Sequence, residues 1–187
     1  MSFVSSVLND GYQLYDCLTQ AHRMGYGVDG YLTVADDTLF NYWNFYSLST
    51  KSVWHQHINH FNCTEGTEWH WWAKNKEKAG RVFDTIRKES LLTSADSERC
   101  RLFFSRVVDG DKCMNGYADI FYVPKSDMED VMYFFNLFYK NKVFLEIAVP
   151  LTLSAVAGKE RITELIAQQG YYKLRGNLFA YYNKTNH

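Results

Sequence analysis

Gly30-Tyr31-Leu32-Thr33-Val34-Ala35-Asp36-Asp37 is an apolar, β-branched run that stops at two adjacent carboxylates, and Thr38-Leu39-Phe40-Asn41-Tyr42-Trp43-Asn44 follows it. Leu32 and Val34 predict a short buried strand, because parallel strands covered on both faces read as near-continuous apolar runs. Open α/β sheets bind ligands at the carboxyl ends of their strands. Asp36 and Asp37 at such an end form a hard oxygen site suited to Mg²⁺ or Mn²⁺, ions that bridge to substrate phosphates. A solvated Asp-Asp turn is the competing reading, and the dipeptide by itself favours it. Context has to decide.

Working outward, Tyr12 to Arg23 predicts a helix capped by Asn9 or Asp10 and stopped at Gly25 or Gly27. Thr38 to Ser52 predicts a helical turn and a loop. The periodicity of Trp72 to Glu89, with Ala73, Val82, Phe83 and Ile86 among charged residues, fits an amphipathic helix interrupted by Gly80. Ala95 to Val107 is a further helix, capped by Thr93 or Ser94 and stopped by Asp109-Gly110. Tyr117 to Val123 is the clearest second strand, ended by Pro124. Ser126 with Glu129 makes a capping-box pattern for a helix reaching about Tyr139. Leu145 to Ala157 is expected to be helical after Pro150, and Glu160 to Gln169 is expected to be a helix closed by Gly170. Tyr172 to Tyr181 suggests a hairpin around Gly176-Asn177.

A chain of 187 residues with 47% apolar and 22% charged residues is globular and long enough for one well-buried domain. A net charge of −1 argues against a general nucleic-acid or anionic-membrane surface. No repeat, linker or low-complexity tract divides it. The longest apolar run, Val143 to Ala157, carries Glu146 and Pro150 and falls short of the ~20 residues that span a bilayer. Met1 to Leu8 is too short and polar for a signal peptide. Cys17, Cys63, Cys100 and Cys113 show no zinc spacing and permit two disulfides, in three connectivities, in an oxidising compartment. Asn62-Cys63-Thr64 and Asn183-Lys184-Thr185 are glycan sequons of use only inside the secretory pathway.

The order of a helix, a strand, an acidic pair and Leu39-Phe40-Asn41-Tyr42-Trp43-Asn44 is followed downstream by Asn115 to Pro124 and then Phe144 to Pro150. This arrangement resembles the glycosyltransferase-like domain of the STELLO family, related to GT-A nucleotide-sugar transferases, over roughly Tyr12 to Ala157. The resemblance implies an α/β fold, a partial GT-A-like mixed sheet flanked by helices, in one domain over residues 1–187. It implies metal-assisted transfer of a sugar from a nucleotide-sugar donor to a glycan or protein acceptor, in the Golgi lumen or elsewhere in the secretory pathway. Asp37 matches the metal-holding position of the family's D-x-D motif and Asp36 its middle one, for Mn²⁺ or Mg²⁺. Ala35 stands where the motif has its first Asp, which removes a sugar or ribose contact.

Only about 35 residues precede Asp36, so most of the nucleotide-binding half of such a domain is expected to be missing. A membrane anchor is expected only if an upstream segment exists. A parallel sheet cut at that point exposes an unpaired strand edge, which invites a covering partner chain. The alternative to an enzyme is a non-catalytic lumenal partner that retains the fold.

Asp119 lies in the strand expected beside the acidic pair. It reads either as a contact to acceptor hydroxyl or donor sugar, or as a structural anchor. Glu146, among Phe144, Leu145 and Ile147, occupies a place similar to the catalytic acid of many inverting GT-A enzymes. There it would deprotonate the acceptor hydroxyl, and apolar neighbours would raise its pKa. A salt bridge to Lys142 or Arg161 is the plainer reading. His55, His57 and His60 lack a matched fourth ligand for zinc and are expected to be solvated. Glu68 to Trp72 offers an aromatic wall for a sugar ring, although core packing at a helix start is the stronger expectation.

Overall fold

The computed structural model describes residues 13–35, 42–63, 68–107 and 112–165. Within them the chain is a mixed α/β domain, with helices packed on a four-stranded sheet and beside a two-stranded ribbon. Helix α1 (Asp16–Arg23) ends where Met24 and Gly25 donate back to Ala21 and His22, with Gly25 at φ +72, a conformation natural to glycine. Strand β1 (Gly30–Val34) leads to a 3₁₀ turn at Tyr42–Phe45. Strands β2 (Val53–His55) and β3 (Ile58–Asn62) follow, then helices α2 (His70–Ser90) and α3 (Ser97–Val107). The last third holds β4 (Lys112–Gly116), β5 (Ile120–Pro124), helices α4 (Met128–Lys140) and α5 (Leu145–Ala157), and β6 (Ile162–Glu164).

The sheet order is β1-β5-β2-β6. β1 runs antiparallel to β5, from Gly30 opposite Pro124 to Val34 opposite Ile120. β2 is antiparallel to β5 and parallel to β6. β3 and β4 form the antiparallel ribbon, and the Cys63–Cys113 disulfide ties it. Cys17 and Cys100 remain thiols, so one of the two permitted bridges forms.

β1 corrects the first expectation drawn from its sequence. It is antiparallel and outermost among the described strands, not a central parallel one. Tyr31 is buried against His22 of α1, whereas Leu32 and Val34 are 39% and 37% exposed. An antiparallel sheet covered on one face sorts side chains by alternation, so a continuous apolar run cannot all be buried.

α5 is the centre of the core. Every residue from Ile147 to Ala157 is buried, and the helix packs against α3, α4, β2 and β4. A helix apolar all round requires such a surround. Pro150 lies inside it and has no N–H to offer the Glu146 carbonyl.

Two further readings change. Ser126 falls in a 3₁₀ turn (Lys125–Asp127) with its hydroxyl 3.5 Å from Asp127 Oδ1, so α4 begins without the capping box. The segment expected to be a helix from Glu160 instead makes a short 3₁₀ turn (Lys159–Arg161) and then β6. Pairing with β2, extended by the Leu165 amide donating to His55 O at 2.8 Å, overrides the local preference. The expected terminal hairpin lies outside the described residues, as do Asn9 and Asp10.

Candidate functional site

At the carboxyl end of β1, the Ala35 amide donates to the carbonyl of Asp119 at 2.7 Å. Asp119 stands one residue ahead of β5, and Asp36 and Asp37 follow Ala35 in the chain but lie outside the described residues. Asp119 lies in the bend that leads into β5, whose Phe121 meets Phe135 of α4. Glu146 sits in the first turn of α5. Its carboxyl is pushed up to about 7, first by burial and then by the negative charge of Asp119. The two carboxylates are therefore close enough to feel each other. No hydrogen bond or ion pair from another described residue neutralises Glu146. Arg161, a partner considered from sequence, instead holds Asp127 with contacts of 2.9 and 3.2 Å and donates to Val156 O.

Other elements fix the start of α5. Asn75, a buried residue of α2, accepts the Phe144 amide on Oδ1 at 3.1 Å and donates from Nδ2 to Trp71 O at 2.8 Å. The buried Tyr15 hydroxyl donates to Val143 O at 3.0 Å, and Gln13 Nε2 donates to Tyr139 O at 3.0 Å. Trp71 stacks on Phe144 with centroids 4.7 Å apart, and the Lys74 ammonium lies over Trp71. The carbonyl of Phe144 in turn receives the Ile147 and Ala148 amides, which places Glu146 between two fixed points. Sequence reasoning missed these supports, although Asn75 was visible as the polar member of the α2 stripe formed by Trp72, Ala79, Val82 and Ile86.

The remaining candidates separate. His55 is fully buried, donates from Nδ1 to Gln56 O at 2.6 Å, and is lowered to about pKa 4 by burial, so it is neutral. That corrects the expectation of a solvated histidine. His57 is exposed and pairs with Glu164 at 2.8 Å. His57 and His60 line a cavity of about 250 Å³ with Arg106, Lys159 and Glu164. Among the described residues no group of three His, Cys, Asp or Glu side chains is placed to hold a metal. Trp72 is buried edge-on against Phe61, which is the core packing expected for this segment. No described helix is long and apolar enough to cross a membrane.

Among the described residues the candidate site thus holds two carboxyl groups within electrostatic reach, Asp119 just ahead of β5 and Glu146 at the start of a buried helix. The sequence profile of the STELLO glycosyltransferases matches residues 2–106, more than half of the chain. The chain belongs to this family and is a glycosyltransferase-like domain. The match takes in Asp36 and Asp37 and stops short of Asp119 and Glu146. No curated protein and no solved structure matches the chain.

Proposed function

We propose that this chain carries the acceptor side and the diphosphate-facing carboxylates of a sugar transferase that uses a nucleotide-sugar donor. One observation carries the reading: Glu146, raised to about 7, feels the charge of Asp119, whose carbonyl binds the residue directly before Asp36 and Asp37. A carboxyl near 7 is divided between acid and base forms at neutral pH, the condition in which a general base works best. Glu146 takes the proton of the acceptor hydroxyl as the oxygen attacks the anomeric carbon. Asp119 orients the acceptor or the donor sugar. The first turn of α5, fixed by Asn75 and Tyr15, holds the base in place.

The donor set fits a hard divalent cation. It consists of carboxylates, and the charge of Asp119, which adds to burial in raising Glu146, is negative potential that a cation would relieve. Asp37 and Asp36 would hold Mn²⁺ or Mg²⁺. Such an ion stabilises charge on a departing nucleotide diphosphate. Cytosolic proteins seldom keep disulfides, so Cys63–Cys113 supports placement in the secretory pathway, with the Golgi lumen as the specific proposal.

A second reading, a non-catalytic lumenal partner, draws support from Ala35 in the place of the first motif carboxylate. Thermal shift separates the two. Mn²⁺ is expected to raise the melting temperature weakly; a large further rise on adding uridine or guanosine diphosphate that Asp37→Ala abolishes favours the enzyme, and little further rise favours the partner. Sugar transfer lost in Glu146→Gln, with the Mn²⁺ shift retained, supports the enzyme. Absence of both transfer and metal shift in the unaltered chain supports the partner.

A further inference from the structure

Asn62 is the acceptor residue of the sequon Asn62-Cys63-Thr64, and the structure fixes the chain on both sides of it. It is the last residue of β3 and stands opposite Lys112 of β4. Its predecessor Phe61 is opposite Cys113 in the same ribbon and packs edge-on against Trp72, with centroids 4.8 Å apart. Its successor Cys63 is covalently bound to Cys113. The middle residue of the sequon is therefore one end of the bridge that locks the ribbon. A glycan-transferring enzyme must take the asparagine amide and the hydroxyl two residues later into one active site, which requires a segment of free chain. Asn62, laddered to β4, and Cys63, cross-linked to it, are not free.

We propose that Asn62 is an N-glycan acceptor only while the Cys63–Cys113 bridge is open, so that closing the bridge withdraws the site. In the glycosylation step the Asn62 amide nitrogen bonds to the anomeric carbon of a lipid-diphosphate-linked oligosaccharide. The bond from that carbon to the diphosphate oxygen breaks, the lipid diphosphate leaves, and the amide gives one proton to solvent. In the competing step the two thiols lose two electrons and two protons to an incoming protein disulfide, which is reduced to a dithiol. The outcome at Asn62 is set by which step comes first. Cys113 lies 50 residues beyond Cys63, so during synthesis the sequon emerges before its cross-linking partner exists. The proposal does not depend on the sugar-transfer reading.

The test uses the full 187-residue chain carrying Asn183→Gln, expressed behind a cleavable secretion signal, with occupancy read as an endoglycosidase-sensitive mobility shift. Partial occupancy is expected, rising severalfold in Cys113→Ser, which leaves the sequon intact. A pulse of dithiothreitol on the chain with both cysteines should produce the same rise. Glycosylated molecules should be depleted in the 63–113 cross-linked peptide on mapping. A core variant that keeps the bridge, Phe121→Ala, controls for general unfolding. Equal occupancy with the bridge open and closed, at any level including zero, overturns the proposal. So does a rise in Phe121→Ala that matches Cys113→Ser while its bridge remains formed.

Discussion

The Asn75 side chain accepts the Phe144 amide at 3.1 Å and so sets the point at which α5 begins. It is 2% exposed and spends its amide donor on Trp71 O, which leaves no water to replace either bond. Asn75→Ala removes the acceptor of the buried Phe144 N–H, while Trp71 O keeps its place in the α2 backbone ladder. A loss of about 1–3 kcal/mol is expected, measured as a lower urea midpoint. A midpoint equal to that of the parent would show that α5 is positioned without this contact.

Glu146 predicts a pH dependence of known sign. Its folded pKa of about 7 lies above the ordinary 4.5, so between these values the folded chain binds more protons than the unfolded one. Its contribution to stability is full below about pH 4.5 and is lost as pH rises through about 7. Glu146→Gln should flatten that slope, by an amount on the order of 1–2 kcal/mol once solvent screening of a partly exposed carboxyl is allowed for. Asp119→Asn should lower the Glu146 midpoint in a side-chain NMR titration. A midpoint near 4.5 in the unaltered chain would remove the basis for a neutral-pH base.

The Cys63–Cys113 bridge closes a separation of 50 residues. Removing it by Cys63→Ala with Cys113→Ala is expected to cost about 2–4 kcal/mol, chiefly by freeing the unfolded chain. Denaturant unfolding of the double variant checks this. An unchanged midpoint would mean that the β3–β4 ribbon holds without its cross-link.

Two glycines should respond with opposite sign to the same substitution. A Cβ on Gly30 would collide with the Tyr122 hydroxyl and lie 2.6 Å from the Val123 carbonyl oxygen, which is backbone of the paired strand. Gly30→Ala should cost about 1–3 kcal/mol. A Cβ on Gly80 meets nothing within 4 Å in the middle of α2. Gly80→Ala should therefore gain about 0.5–1 kcal/mol in calorimetry. Equal effects at both positions would contradict the close approach of β1 to β5.

The helices were the most legible part of the chain. The α2 stripe and the α5 run carry their periodicity or length in local sequence, and their observed spans differ from expectation by only a few residues at each end. β2, β3, β4 and β6 were not recognised as strands, because each is three to five residues long and defined by a partner distant in sequence. The same distance explains β1. Nothing within residues 30–34 reveals that its neighbour is antiparallel, so the burial of Leu32 and Val34 was misjudged. At the site, Glu146 stood out as one acid in an apolar run and Asp119 as one acid beside a strand. Their proximity, and the role of Asn75 in fixing it, depend on tertiary packing that neither segment encodes alone.

The pairing scheme also says where this chain can be cut. The family profile covers residues 2–106, yet among the described residues β1 and β2 pair only with β5 and β6, and β3 pairs only with β4. All three strands of the matched segment thus find their partners after residue 106. The recognisable half of the sequence is consequently not an autonomous unit. A message or clone ending near Val107 would yield three orphaned strands and three helices without α4 and α5, on which α1 and α3 pack. Sequence kinship and folding independence have different borders in this molecule.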